Sequence, residues 1–295
     1  MGREITNLEK RIKHEIDKYS NTCGIYADDL KGNTVEIKAD EVFEAASCIK
    51  IFILIEFYRQ VFEGKKKRND ILEYKESYFA NGTGVIKSFS GHLELETKNV
   101  AAAMIVISDN IATNMMIDYL GLENINKTIA KLGFEKTKLL NTIHFDKYNT
   151  MGTTTPEEYA RAFKKILKHE LFDADLCEEM LKILKRQQGN KIFTGYFPQY
   201  DIANMGTDKS LIKYIASKSG GLSGANLTPK TKNLRACGGV ISTRYGEYVI
   251  SIFVSDFKDP YYYDDNINDT CGARVSQLIF DAFVTLEGKF NHVFL

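Results

Sequence analysis

The chain is poor in proline and has no clustered cysteine. Four prolines in 295 residues leave no proline-rich linker. The five cysteines (Cys23, Cys48, Cys177, Cys237, Cys271) are odd in number and widely spaced, with no C-x-x-C. That pattern excludes a disulfide scaffold and a thiolate zinc site, and reduced thiols are expected. The five histidines (His14, His92, His144, His169, His292) form no H-E-x-x-H or other close ligand pair, which argues against a metallohydrolase. No metal or cofactor is expected. No apolar run approaches the roughly 18 residues of a membrane span. The most apolar stretches, 49–58 and 100–107, are short, and the first contains Lys50 and Glu56. Neither sign of charge is in excess, with 39 basic and 39 acidic residues. Nucleic acid is therefore excluded as the main partner, because phosphate binding needs a basic surplus.

What is present is ordinary for a folded protein. Hydrophobic residues make up 44% and charged residues 26%, which excludes a mostly disordered chain. The length fits one large domain or two intertwined lobes. Residues 4–19 carry helical spacing (Ile5, Leu8, Ile12, Ile16). This charged, amphipathic segment has no apolar core or cleavage site, so it reads as a helix and not as a secretory signal. A cytoplasmic location is the expectation, unless a signal has been removed. Segments 23–30 and 34–39 flank Lys31-Gly32-Asn33 and predict a β-hairpin. Residues 47–62 read as an apolar helix.

Further helices are predicted over about 97–107, 111–120, 123–132, 156–169 and 174–187. Thr155 followed by Pro156, Glu157 and Glu158 gives a strong helix start. Residues 138–152 show no period and read as an ordered loop. Strands return at 212–217, 236–242 and 247–254, the last two around Arg244-Tyr245-Gly246, and a final helix spans about 271–286. This order predicts an α+β fold. One antiparallel sheet is flanked by the N- and C-terminal helices, and an all-helical lobe stands beside it. The lobes divide as about 1–60 with 205–295, and 61–204. The cleft between them is the natural place for a site.

Three clusters carry chemistry. Ser47-Cys48-Ile49-Lys50 puts a hydroxyl and an amine on one helix face, in a stripe continued by Leu54, Phe57, Tyr58 and Val61. Burial lowers the pKa of such an amine and makes Lys50 a candidate general base. Free N–H groups of the first turn suit a developing negative charge at Ser47. Ser108-Asp109-Asn110 stands at a break between helices. There a hydroxyl can relay a proton and an amide can hold a substrate amide, although helix capping alone accounts for the same residues. Lys218-Ser219-Gly220-Gly221 ends a strand. A lysine and a hydroxyl there can grip a carboxylate, and the glycines admit close approach to the backbone.

In order, the three clusters resemble the S-x-x-K, S-D-N and K-T-G signature of class A β-lactamases and penicillin-binding proteins, with serine in place of threonine in the third. The segments 104–121 (MIVISDNIATNMMIDYLG), 45–65, 82–86 (GTGVI) and 153–163 also resemble the corresponding family segments. The similarity runs from about residue 20 to 285. It implies the serine β-lactamase fold. Residue by residue, it implies Ser47 as the acylated nucleophile, Lys50 as its activator and Ser108 as the proton relay. Asn110 is implied as the amide contact, and Lys218 and Ser219 as the carboxylate site beside Gly220. The N–H groups of Ser47 and Gly221 are implied as the oxyanion hole.

One departure stands out. Class A enzymes carry a glutamate in the loop before the Thr-Thr-Pro helix, where it activates the deacylating water. Here that loop (138–156) contains none and is shorter. His144 and Asp146 are its titratable candidates for a base, although a solvated loop position is the expectation for both. The loop, with an asparagine shortly before the threonines, is similar to a divergent branch of the family. Turnover needs two steps, so the gap raises the expectation of a persistent acyl-enzyme with slow β-lactam hydrolysis, or of another amide or ester as the natural substrate. The readings that remain are a β-lactamase-type hydrolase opening a β-lactam or related amide, a D-alanyl-D-alanine peptidase or amidase, a serine-dependent glutaminase, and a binding protein that traps β-lactams. Surface or turn placement is the expectation for Arg235 and Arg244, with a supplementary anion anchor beside Lys218 as the alternative. The expected partner is a small-molecule amide.

Overall fold

The computed structural model describes residues 2–19, 22–148, 150–222, 233–255 and 267–285. The chain opens with α1 (Gly2–Ile16) and the hairpin β1 (Thr22–Asp28) and β2 (Thr34–Ile37). A short β3 (Phe43–Glu44) leads through a 3-10 turn (Ala46–Ile49) into α2 (Lys50–Phe62). β4 (Ile71–Glu73) and β5 (Glu94–Glu96) close the next loop, ahead of α3 (Thr97–Val106), α4 (Asn110–Leu120) and α5 (Leu122–Lys131). β6 (Lys138–Leu139) and β7 (Gly152–Thr154) bracket the loop before α6 (Pro156–Leu167) and α7 (Ala174–Leu184). Two short helices follow, α8 (Lys191–Thr194) and α9 (Gln199–Ala203). The chain then forms β8 (Ile212–Leu222), β9 (Leu234–Thr243), β10 (Gly246–Ser255) and α10 (Ile267–Thr285).

The early hairpin and the late strands form one antiparallel sheet, as the sequence predicts, in the order β2-β1-β10-β9-β8. Strand alternation sorts its side chains into two layers. Ile25, Cys237, Ile241, Ile250 and Ile252 face outward onto α1, α8 and α10 through Leu8, Ile12, Phe193, Val275 and Ile279. Tyr26, Ala236, Val240, Val249 and Phe253 face inward, into the core shared with α6 and the helical lobe. Ile192 and Phe193 belong to the outer layer, so the chain is back on the sheet side by α8.

α6 begins as its sequence dictates. Thr155 accepts from Glu158 N at 3.1 Å and Pro156 occupies the first turn. α2 is the central helix of the lobe, and every residue from Lys50 to Tyr58 is buried. Its second charge, Glu56, is neutralised by Arg59 at 2.7 Å and accepts from Thr128 Oγ1 at 2.6 Å. Among the described residues Lys50 has no such ion pair.

Several features differ from the sequence pattern, among them the short elements β3, β4, β5, α8 and α9, which it did not mark. Segment 138–152 is not wholly irregular, since its ends pair as β6 and β7. These strands are too short to show a period of two. α10 starts four residues earlier than its apolar stretch, and Leu286 lies outside the described residues. β8 does not stop at Ser217. It runs through Lys218 to Leu222, because the ladder with β9 continues across Gly220↔Ala236 and Gly221↔Arg235. Glycines carry little strand signal of their own, and here the partner strand supplies it.

Candidate active site

Ser47 sits in the 3-10 turn just ahead of α2, not within the first turn of the helix. Ala46 before it has φ +44°. This left-handed backbone costs a non-glycine residue on the order of 1–3 kcal/mol. The kink brings the turn against β8: a methyl placed on Gly220 would lie 2.9 Å from Cys48 N and 3.0 Å from Ser47 N. Only glycine admits that approach. Ser47 is half-buried, and Cys48 and Ile49 behind it are fully buried.

Lys50 is completely buried, at 0% exposure. Its Nζ donates to Ser108 O at 2.8 Å and Asn110 Oδ1 at 2.9 Å, and lies 3.1 Å from Ser108 Oγ. None of these bonds runs to Ser47 Oγ. Burial pushes the Lys50 ammonium well below its ordinary pKa, and the nearby Lys218 charge lowers it further. The neutral amine fits this cage. Its two hydrogens meet two carbonyl oxygens, which only accept, and its lone pair is left for a hydroxyl. The orientation of Asn110 is fixed as well, because Nδ2 donates to Asn81 O at 2.7 Å. Both ends of that amide are thus engaged within the protein.

Ser108 has φ +56°, a second strained non-glycine residue. Its carbonyl also accepts from Thr83 Oγ1 at 2.7 Å. Asp109 is buried and caps α4, accepting from Ala112 N at 2.9 Å. Its other oxygen accepts from Val85 N at 2.7 Å and Ile86 N at 3.0 Å. Capping is therefore real at Asp109, and it coexists with an inward-facing Ser108. Gly84 (φ +117°) lies so close that an added methyl would fall 2.3 Å from the Asp109 carboxyl. The Gly82-Thr83-Gly84 turn is thereby locked to the Ser-Asp-Asn segment.

On β8, Lys218 faces inward and is fully buried. Its Nζ donates to Ser108 Oγ at 3.1 Å and Ser219 O at 2.6 Å. Burial pushes its pKa down to about 8. Tyr159, buried on α6, donates to Lys218 O at 2.5 Å and anchors the strand there. Ser219, Gly221 and Arg235 lie on the opposite face. A methyl on Gly221 would come within 3.1 Å of Arg235 Nη1, so that guanidinium borders the site. Arg235 also ion-pairs with Asp269 at 3.8 Å. Arg244 is exposed in the β9–β10 turn.

The structure thus gathers Ser47, Lys50, Ser108, Asn110, Lys218, Ser219, Gly220 and Gly221 at the junction of α2, α4 and β8. His144 is half-buried in a turn where its carbonyl accepts from Lys147 N and Tyr148 N at 2.9 Å, and Asp146 is exposed. Among the described residues, neither side chain bonds to Ser47, Lys50 or Asn110. Asn149, the loop asparagine, lies outside the described residues. Sequence reasoning missed Asn81, Thr83 and Tyr159 as supports. The Gly-Thr-Gly turn was the one local signal for the first two. Among the described residues no group of three metal-ligating side chains occurs, and no described helix is long and apolar enough to cross a membrane.

A family model described as the beta-lactamase enzyme family matches residues 7–283. The chain belongs to that family. Its α+β architecture recurs in solved β-lactamase-family structures. A β-lactamase from Sphaerobacter thermophilus DSM 20745 is 25% identical with a TM-score of 0.79, over 94% of this chain and 96% of that one. PBP-A is 27% identical with a TM-score of 0.79 over the same shares, 94% and 96%. A PBP-A mutant, solved as an acyl-enzyme complex with penicillin G, is 26% identical with a TM-score of 0.77, again over 94% and 96%. No curated protein matches the chain. Within the β-lactamase family this chain is a serine-hydrolase-like member without a glutamate in the loop ahead of α6.

Proposed function

We propose that this protein opens a β-lactam or related amide through an acyl-enzyme on Ser47. The observation that carries the reading is the cage of Lys50, a fully buried amine whose hydrogens are taken by two carbonyl oxygens. Lys50 takes the Ser47 proton as Oγ attacks the carbonyl carbon. Catalytic hydrogen bonds often close only when substrate is bound, so the open Ser47–Lys50 contact is no obstacle. The N–H groups of Ser47 and Gly221 receive the oxyanion, a contribution of roughly 10²–10³ in rate per donor. As the C–N bond breaks, Ser108 gives its proton to the leaving nitrogen and regains one from Lys50, to which it is already bonded. Lys218 and Ser219 hold the substrate carboxylate, with Arg235 beside them.

A second reading is a D-alanyl-D-alanine peptidase or amidase-like hydrolase, or a β-lactam-binding protein without turnover. The lack of a carboxylate bonded to Ser47 or Lys50 from loop 140–151 favours it, as does similarity to PBP-A. Intact-mass analysis with benzylpenicillin separates the readings. The wild type gains the mass of the drug and Ser47→Ala does not. Loss of the adduct within seconds supports a β-lactamase, and persistence over hours supports the second reading. No adduct with any penicillin or cephalosporin overturns both β-lactam readings.

A further inference from the structure

The loop after α7 carries a buried side chain that takes no part in the steps above. Gln187 is 7% exposed. The loop is fixed to the helical lobe, because Gln188 N donates to Val106 O at 2.9 Å, at the end of α3 and two residues before Ser108. From there Gln187 reaches across to β8. Strand alternation puts Ser217 and Ser219 on one face of β8 and Lys218 on the other. Gln187 Oε1 accepts from Ser217 Oγ at 3.1 Å, and Gln187 Nε2 donates to Ser219 Oγ at 2.9 Å.

The direction of this amide is determined by its surroundings. Nε2 also donates to the Gln188 carbonyl, which can only accept. Both amide hydrogens are therefore assigned, one to Gln188 O and one to Ser219 Oγ. A hydroxyl oxygen that accepts from an amide keeps its own proton to give away. Lys218, on the neighbouring residue, has two of its three hydrogens placed on Ser108 Oγ and Ser219 O. Among the described residues the proton of Ser219 has no acceptor and is the donor for an incoming group, with the buried Lys218 charge on the neighbouring residue.

We infer that Gln187 is a positioning residue. It holds Ser219 as a hydrogen-bond donor and so sets the Lys218–Ser219 site to select an acceptor-only group, a carboxylate, on the substrate. The inference rests on the serine-acylation reading above and deepens it. The bond to Ser217 ties the loop to the sheet. The bond to Ser219 sets polarity, and the two roles are separable. Gln187→Glu preserves the shape and the acceptor facing Ser217. It replaces the donor facing Ser219 with a second acceptor, so the Ser219 proton turns away from substrate and a negative charge enters the anion site.

The experiment measures the second-order rate of adduct formation on Ser47 by intact mass. Benzylpenicillin and its methyl ester are compared on the wild type, Gln187→Glu and Gln187→Met. The expected result is a loss of at least about tenfold for benzylpenicillin in Gln187→Glu, carried by the apparent affinity and not by the limiting rate. The ester rate stays within about twofold, so the preference for acid over ester collapses. Gln187→Met, which cannot donate, shows a smaller loss of the same selective kind and carries the comparison if Gln187→Glu fails to fold. Equal slowing of acid and ester, or no change in either, overturns the inference while leaving the acylation reading intact. A wild type that reacts with neither compound removes the acylation reading, and this inference falls with it.

Discussion

Lys50 and Lys218 both hydrogen-bond the same hydroxyl, Ser108 Oγ, each at 3.1 Å. Two buried amines on one hydroxyl cannot both stay charged without cost. Burial lowers the pKa of both, Lys50 well below its ordinary value and Lys218 to about 8. The roles they need are opposite, since Lys50 works neutral and Lys218 works charged.

The first prediction is therefore a pH profile. Acylation by benzylpenicillin rises with pH as Lys50 loses its proton, and falls above about 8 as Lys218 loses its own. In Lys218→Met the descending limb disappears. Stability follows the same shift. Between about 8 and 10.5 the unfolded chain binds more protons at this lysine than the folded one. Its contribution therefore becomes more favourable as pH rises through that window, and the cost of burying the charge is fully present below it. An acylation rate that keeps climbing beyond pH 9 in the wild type contradicts the assignment of Lys218.

Ser108→Ala tests the relay. Two of the three Lys50 bonds go to Ser108 O and Asn110 Oδ1, which the substitution leaves in place. Lys50 stays where it is, and Lys218, which loses Ser108 Oγ, keeps its bond to Ser219 O. Acylation falls by roughly 10²–10⁴, the usual range for loss of a general acid. Stopped-flow acylation rates with a matching melting curve check this.

Gly220→Ala addresses the oxyanion position. The added methyl meets Cys48 N and Cys48 Sγ at 2.9 Å and Ser47 N at 3.0 Å. Backbone on both sides leaves no cheap adjustment, so the Ser47 turn moves away from β8. The expected outcome is a loss of at least about 100-fold in acylation, with near-native far-UV circular dichroism.

Asp109→Ala is a stability prediction. It leaves the N–H groups of Ala112, Val85 and Ile86 without their acceptor. Uncapping α4 and stranding buried donors costs about 3 kcal/mol, or roughly 5–10 °C in Tm. Loss of the Gly82–Gly84 anchor also lowers acylation. Thermal melts of the variant beside the wild type decide the first part.

Much of this site was legible because its signals are local. Ser47 and Lys50 declare themselves by a three-residue spacing, Asp109 by its capping position, and α6 by Thr155-Pro156. The antiparallel sheet followed from hairpins at 31–33 and 244–246. What stayed hidden depends on contacts far apart in sequence. The continuation of β8 through Gly220 and Gly221 comes from pairing with β9. The partners that orient Asn110 were equally hidden: its Oδ1 accepts from Lys50 and one Nδ2 hydrogen goes to Asn81 O, 29 residues away. Gln187 stands 30 and 32 residues from the serines it contacts, and no local pattern marks it.

Ala46 and Ser108 share the left-handed backbone noted earlier, with φ +44° and +56°. Neither conformation persists unless the surrounding packing imposes it. Warming or mild denaturant that loosens the junction of α2, α4 and β8 lets both segments relax to ordinary angles, and the nucleophile and its relay drift apart. Loss of reactivity therefore precedes the melting of the helices and the sheet, and the protein falls silent while still folded.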